Sequence, residues 1–280
     1  MDLFTIGGHK MHMLRNRILF FGAALTAGLG SMWLHRSMMT ACIDEKGLLI
    51  SGNLPGTFLW VLGIAFVLFL IAALRTIGGD GGYADSFSRS FLCGGLMLAA
   101  GAVLFFSIGK LELNAAAPMP AVAGLHLLLR ETTDALMAYL PWIAAVCMAV
   151  LGVYRILGKQ PWPVWSSLIC LFYTLMLVTN YRLWSADPNL QEYAYQLLAQ
   201  VLLMLCAFHR TCSDAGVIQR KKLLATGLSA VVCALAALSM DFQQGFFMAS
   251  VLWAAGCLCD PAVLPPDPED EELEQTESNE

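Results

Sequence analysis

Six side chains in one stretch of the sequence have the types and spacing to hold a polar solute. Tyr173, Asn180 and Arg182 close one apolar segment, and Glu192, Gln196 and Gln200 open the next, across the turn Trp184-Ser185-Ala186-Asp187-Pro188. Positions four apart drift only about 40° around a helix, so Glu192, Gln196 and Gln200 share a face, with Gln200 about 12 Å deeper than Glu192. Tyr173 and Asn180, seven apart, share a face of the preceding helix. Folding the two segments back on each other sets Arg182 beside Glu192 and Tyr173 beside Gln200. The expected result is a small polar pocket between the two helices, its outer mouth closed by an Arg182–Glu192 ion pair. The same residues have a plainer use, because polar groups in lipid glue helices together at about 0.6 to 2 kcal/mol per bond.

Other chemistry is weaker. Cys206, His209 and Cys212 carry ligand types that suit zinc or copper. On a continuous helix, however, Cys206 and Cys212 differ by about 240° of rotation, which leaves them about 120° apart, so no metal site is expected unless the helix ends between them. His9, Met11, His12 and Met13 sit beside Lys10, Arg15 and Arg17 and are read as part of a basic flank. The five histidines fall near segment ends or in connections, with no pair at one depth to bind a haem. Gly78-Gly79-Asp80-Gly81-Gly82 lacks the Lys-Ser/Thr of a phosphate loop and is read as a hairpin. No Ser, Cys or Thr stands with a His and an acid in a familiar pattern, and no His-Glu-x-x-His occurs. Catalytic, cofactor-binding and metal-binding residues are therefore not assigned. Arg220-Lys221-Lys222 has few aromatic neighbours and reads as a membrane-surface anchor, not a nucleic-acid surface.

The elements that would position these residues follow from composition. Hydrophobic residues make up 58% of the 280 and charged residues 13%, against an apolar share of about 45 to 50% in soluble domains. Lipid is the expected solvent. Nine of the acids fall in residues 260–280, which hold no Lys or Arg, so residues 1–259 carry sixteen basic against twelve acidic side chains. The nine cysteines are odd in number and mostly lie in apolar runs, which argues against a disulfide framework.

Eight apolar runs approach the roughly 20 residues a spanning helix needs: 18–34, 57–74, 90–109, 135–154, 162–181, 191–209, 223–240 and 245–259. They predict an all-α polytopic bundle of about eight spans, flanked by a basic segment at 1–17 and an acidic, disordered tail at 260–280. The last run is the shortest, at about 22 Å of helix. With the first segment inside, the inner connections hold eleven Lys and Arg and the outer ones five, which predicts both termini in the cytosol. Residues 35–56 are expected to form an outer hairpin or plug, and residues 122–130 a short interfacial helix ending near Thr132 and Thr133, which would cap the fourth span. Pro141 is expected to kink that span. Ala24 and Gly28, Gly95 and Ala99, and Ala230 and Ala234 mark spans one, three and seven for close packing. No Asn-x-Ser/Thr acceptor occurs, in keeping with a bacterial plasma membrane.

Two classes of function fit. One is a scaffold or complex subunit whose partners are the lipid bilayer and another membrane or cytosolic protein, met through the acidic tail. The other is a small-solute transporter or receptor using the pocket between spans five and six.

Overall fold

The computed structural model describes residues 22–38, 40–41, 53–76, 89–115, 125–184, 190–217, 219–239 and 243–260. Of these, 90% are helical and none lies in a strand. The basic start, the Gly78–Gly82 stretch, most of the 35–56 connection and the acidic tail beyond Asp260 lie outside the described residues.

Residues 22–38 form α1. Then come α2 (Asn53–Thr76), α3 (Phe91–Ala115), α4 (Leu125–Leu157), α5 (Pro163–Trp184), α6 (Leu190–Asp214), α7 (Arg220–Ala237) and α8 (Gln244–Leu258). Three of them are long and apolar enough to cross a membrane, over Phe91–Ile108, Tyr139–Leu157 and Pro163–Arg182. At about 1.5 Å per residue these windows of 18 to 20 residues match a hydrocarbon core of about 30 Å. Trp60–Phe69 and Gln244–Leu258 are shorter apolar helices.

α7 is the hub: fifteen of its eighteen residues are buried, and it packs on α2, α6 and α8. Its run of Ala, Ser, Gly and Val lets neighbours come close on several sides, as where Gly28 of α1 lies against Leu235. α3 packs chiefly on α4 and α8, and α5 on α6 and α4. The α3–α4 seam is built on glycine. A Cβ at Gly101 would stand 2.7 Å from the Ala145 carbonyl, and one at Gly152 would stand 2.7 Å from that of Gly94. A Cβ at Gly95, by contrast, meets nothing. The face of α3 that meets α4 thus runs through Gly94, Leu98 and Gly101, one residue round from the Gly95–Ala99 face that the spacing suggested, while Met97 turns to Gly256 of α8.

Large apolar side chains also point outward. Phe66 and Leu68 on α2, Phe106 on α3, Trp142 and Val146 on α4, and Leu171 and Val178 on α5 are all exposed. A belt of this kind suits a surface that meets lipid.

The fourth helix departs from expectation. α4 runs 33 residues without a break, through Thr132, Thr133 and Pro141, so no separate interfacial helix ends at the threonines.

Candidate functional site

Polar side chains inside the bundle gather at its two ends and at one place between them. At one end α4, α6 and α8 finish together, and charged side chains are withdrawn from solvent: Arg155, Arg210, Asp214 and Asp260, each 2% exposed or less, and Arg220 at the start of α7, which the sequence set in a membrane-surface anchor and which is 4% exposed. Arg155 Nη2 stands 2.5 Å from Asp260 Oδ2 and 4.0 Å from Asp214 Oδ1. Arg210 pairs with Asp214 Oδ1 at 3.1 Å, donates its Nε to Asp214 Oδ2 at 3.3 Å, and donates Nη1 to Asp260 Oδ2. Each carboxylate meets the guanidiniums of Arg155 and Arg210, so these four side chains sum to zero formal charge.

Local structure explains the assembly. Arg210 and Asp214 are one turn apart on α6, the spacing at which helical side chains meet. Arg155 lies in the last turn of α4, whose carbonyl accepts the Ser90 amide at 3.2 Å and so brings in the start of α3. Asp260 follows the C-cap of α8, its amide donating to the Cys257 carbonyl at 3.3 Å. Gln160 donates to the Asp214 carbonyl at 3.3 Å. Chemically the cluster is a sealed clasp joining three helix ends.

At the opposite end two amides meet. Asn180 on α5 and Gln243 at the start of α8 exchange two amide hydrogen bonds, each 3.2 Å. Gln243 sits at φ 56°, an uncommon conformation for a residue with a side chain, and the paired amides hold it there. Next to this, His35 Nδ1 meets Ser239 Oγ, and its ring stacks on Phe58 at 5.1 Å and meets Tyr195 edge-on at 5.0 Å.

The polar residues singled out in the sequence separate. Tyr173 is fully buried among Phe172, Phe246 and Trp253, and its hydroxyl donates to Ser250 on α8 at 3.2 Å. Ser250 donates in turn to the Phe246 carbonyl at 2.8 Å. Tyr173 and Asn180 therefore turn toward α8, and the expected pairing of Tyr173 with Gln200 is replaced by one with Ser250. Gln196 and Gln200 on α6 are fully buried, and neither amide has a hydrogen-bond partner among the described residues. Arg182 is half-buried at the end of α5. The side chain of Glu192 lies outside the described residues, and with it the Arg182–Glu192 pair. α6 continues unbroken past Cys206, His209 and Cys212 to Asp214, with the Cys206 thiol against Cys257 of α8.

No family model matches the chain, and neither a curated protein nor a solved structure resembles it. The clasp was the part that sequence reasoning missed. Arg155 and Arg210 are among the eleven Lys and Arg of the inner connections, and Asp260 opens the acidic segment 260–280. The four-residue step from Arg210 to Asp214 was the available signal.

Proposed function

We propose that the chain is a multi-pass protein of the cytoplasmic membrane, crossing it eight times with both termini in the cytosol, and that it serves as a scaffold or complex subunit rather than a catalyst. The observation that carries this reading is the clasp. By holding Asp260 between two arginines that belong to α4 and α6, it fixes the point from which the acidic residues 261–280 depart. From Gln243 beside Asn180 to Asp260 in the clasp, the last helix and its caps run about 25 Å, the depth of the bundle, which supports counting this short segment as a crossing. Its burial against α3 and α7 makes up for its length. Setting aside the two paired arginines leaves nine inner cations against five outer ones, so the charge asymmetry still favours an inner N-terminus.

Tyr173 and Asn180 support the same reading, since both are buried and bonded to α8 and neither faces an open outer mouth. The test compares the full chain with residues 1–260, both extracted in detergent and examined by affinity capture and mass measurement. Partner capture by the full chain, lost on truncation without loss of folding, is the expected result. Equal capture by both sinks the assignment of the tail.

One observation favours the second reading, a binding site for a small polar solute. Gln196 and Gln200 keep four amide atoms buried without a hydrogen-bond partner among the described residues, at a cost of about 1 to 3 kcal/mol for each unsatisfied group. Gln200→Leu separates the two. A scaffold is predicted to become equally or more stable with partner capture unchanged, whereas a solute-binding protein loses uptake or binding with its fold intact.

A further inference from the structure

A slot of about 370 Å³ lies between α2, α6 and α7, apart from the clasp and from the amide contacts. α2 and α6 meet through Phe58 and Tyr195 at 4.4 Å, and below that contact the slot parts them, with α7 as its floor. Gly63 and Ala65 leave the room, and a Cβ at Gly63 would meet nothing within 4 Å. The lining is almost wholly apolar. One of its few polar groups, the Ser229 hydroxyl, is buried without a hydrogen-bond partner among the described residues. Phe66 and Leu198, both exposed, flank the opening toward the lipid side.

Charge lies beyond one end of this slot, about two turns of α7 from its lining. Lys222 precedes Ser229 by seven residues, so it occupies nearly the same face of α7, about 10 Å nearer the clasp end. Lys221 and Lys222 are exposed, while Asp214 and Asp260, the acids of that end among the described residues, are held by Arg155 and Arg210. From Lys222 to Cys233, which lines the slot, is about 16 Å, close to half of a hydrocarbon core of about 30 Å. That is the depth of one leaflet. We infer that the slot receives one acyl chain of an anionic phospholipid, with the headgroup phosphate at Lys221 and Lys222 and the chain directed toward Phe58 and Tyr195. A slot with this lining and no basic end would take chains without regard to headgroup. The lysines make it selective for anionic lipid, the charged component of cytoplasmic leaflets. The inference rests on the membrane placement proposed above and is independent of the scaffold role.

The experiment is native mass spectrometry of the full chain in detergent with phosphatidylglycerol and phosphatidylcholine of matched chains. The expected result is preferential retention of phosphatidylglycerol, with the preference falling about fivefold for each lysine removed in Lys221→Gln and Lys222→Gln. Gly63→Leu, which fills the slot where space exists, is expected to lower retention of both lipids. Alkylation of Cys233 gives a second readout on the unaltered backbone: phosphatidylglycerol slows it in the native chain, and the protection weakens in the lysine variants. Equal retention of the two lipids, or lysine variants that behave as the native chain does in both measurements, overturns the inference. Either outcome leaves the tail-capture result standing, whereas failure of the chain to enter membranes removes both proposals.

Discussion

Asp260 shows how much can depend on one carboxylate. It meets Arg155 and Arg210 with no exposure to solvent, and removing one member of a buried ion pair leaves the others uncompensated at a cost of about 3 to 5 kcal/mol. Asp260→Asn is therefore predicted to lower the melting temperature in detergent well beyond the effect of neutralising an acid in residues 267–280. Fluorescence-monitored melting of the two variants side by side checks this. His35 gives a second prediction. Its buried ring stacks on Phe58 and meets Ser239, so His35→Ala is expected to lower the melting temperature in detergent, and His35→Phe, which keeps the stack, is expected to lower it less.

Among the elements, the α3–α4 seam decides how closely two of the three longest apolar windows approach. Backbone carbonyls occupy the space a side chain would need at Gly152 and Gly101, and a carbonyl cannot swing aside as a flexible side chain can. Gly152→Val is predicted to destabilise by about 1 to 3 kcal/mol or more, through overpacking. Gly95→Ala, whose Cβ meets nothing, is predicted to be neutral. Thermal melting of this pair tests the seam directly, because both substitutions fall on the same two packed helices. α7 owes its central place to a different property. Its small side chains can be buried on every side, whereas α2 and α5 carry bulky residues that must face outward.

At the scale of the whole molecule, two polar ends close a largely apolar middle that holds Gln196, Gln200 and the Tyr173–Ser250 pair, and the two ends are predicted to respond differently to truncation. A chain ending at Asp260 keeps the clasp and is expected to melt with the full chain. One ending at Cys259 loses it and is expected to melt lower, as Asp260→Asn does. Much of this architecture was legible beforehand. The apolar runs located the helices because a segment without water must satisfy its own backbone, and α5, α6 and α8 fall close to their predicted ranges. The start of α4 was misread because Thr132 and Thr133 are good caps in isolation, yet a helix may continue through them wherever neighbouring turns supply its hydrogen bonds.

By itself the sequence determined where apolar helices form and that Gln196 and Gln200 lie in an apolar setting, since periodicity and hydropathy are local properties of the chain. Only the tertiary structure decided what these helices bring together. Tyr173 and Asn180 turned to α8 rather than α6, and Asp260 left the acidic tail to complete a clasp with side chains 105 and 50 positions away. A buried charge must find an opposite one wherever folding places it, and no spacing along the chain records that distance.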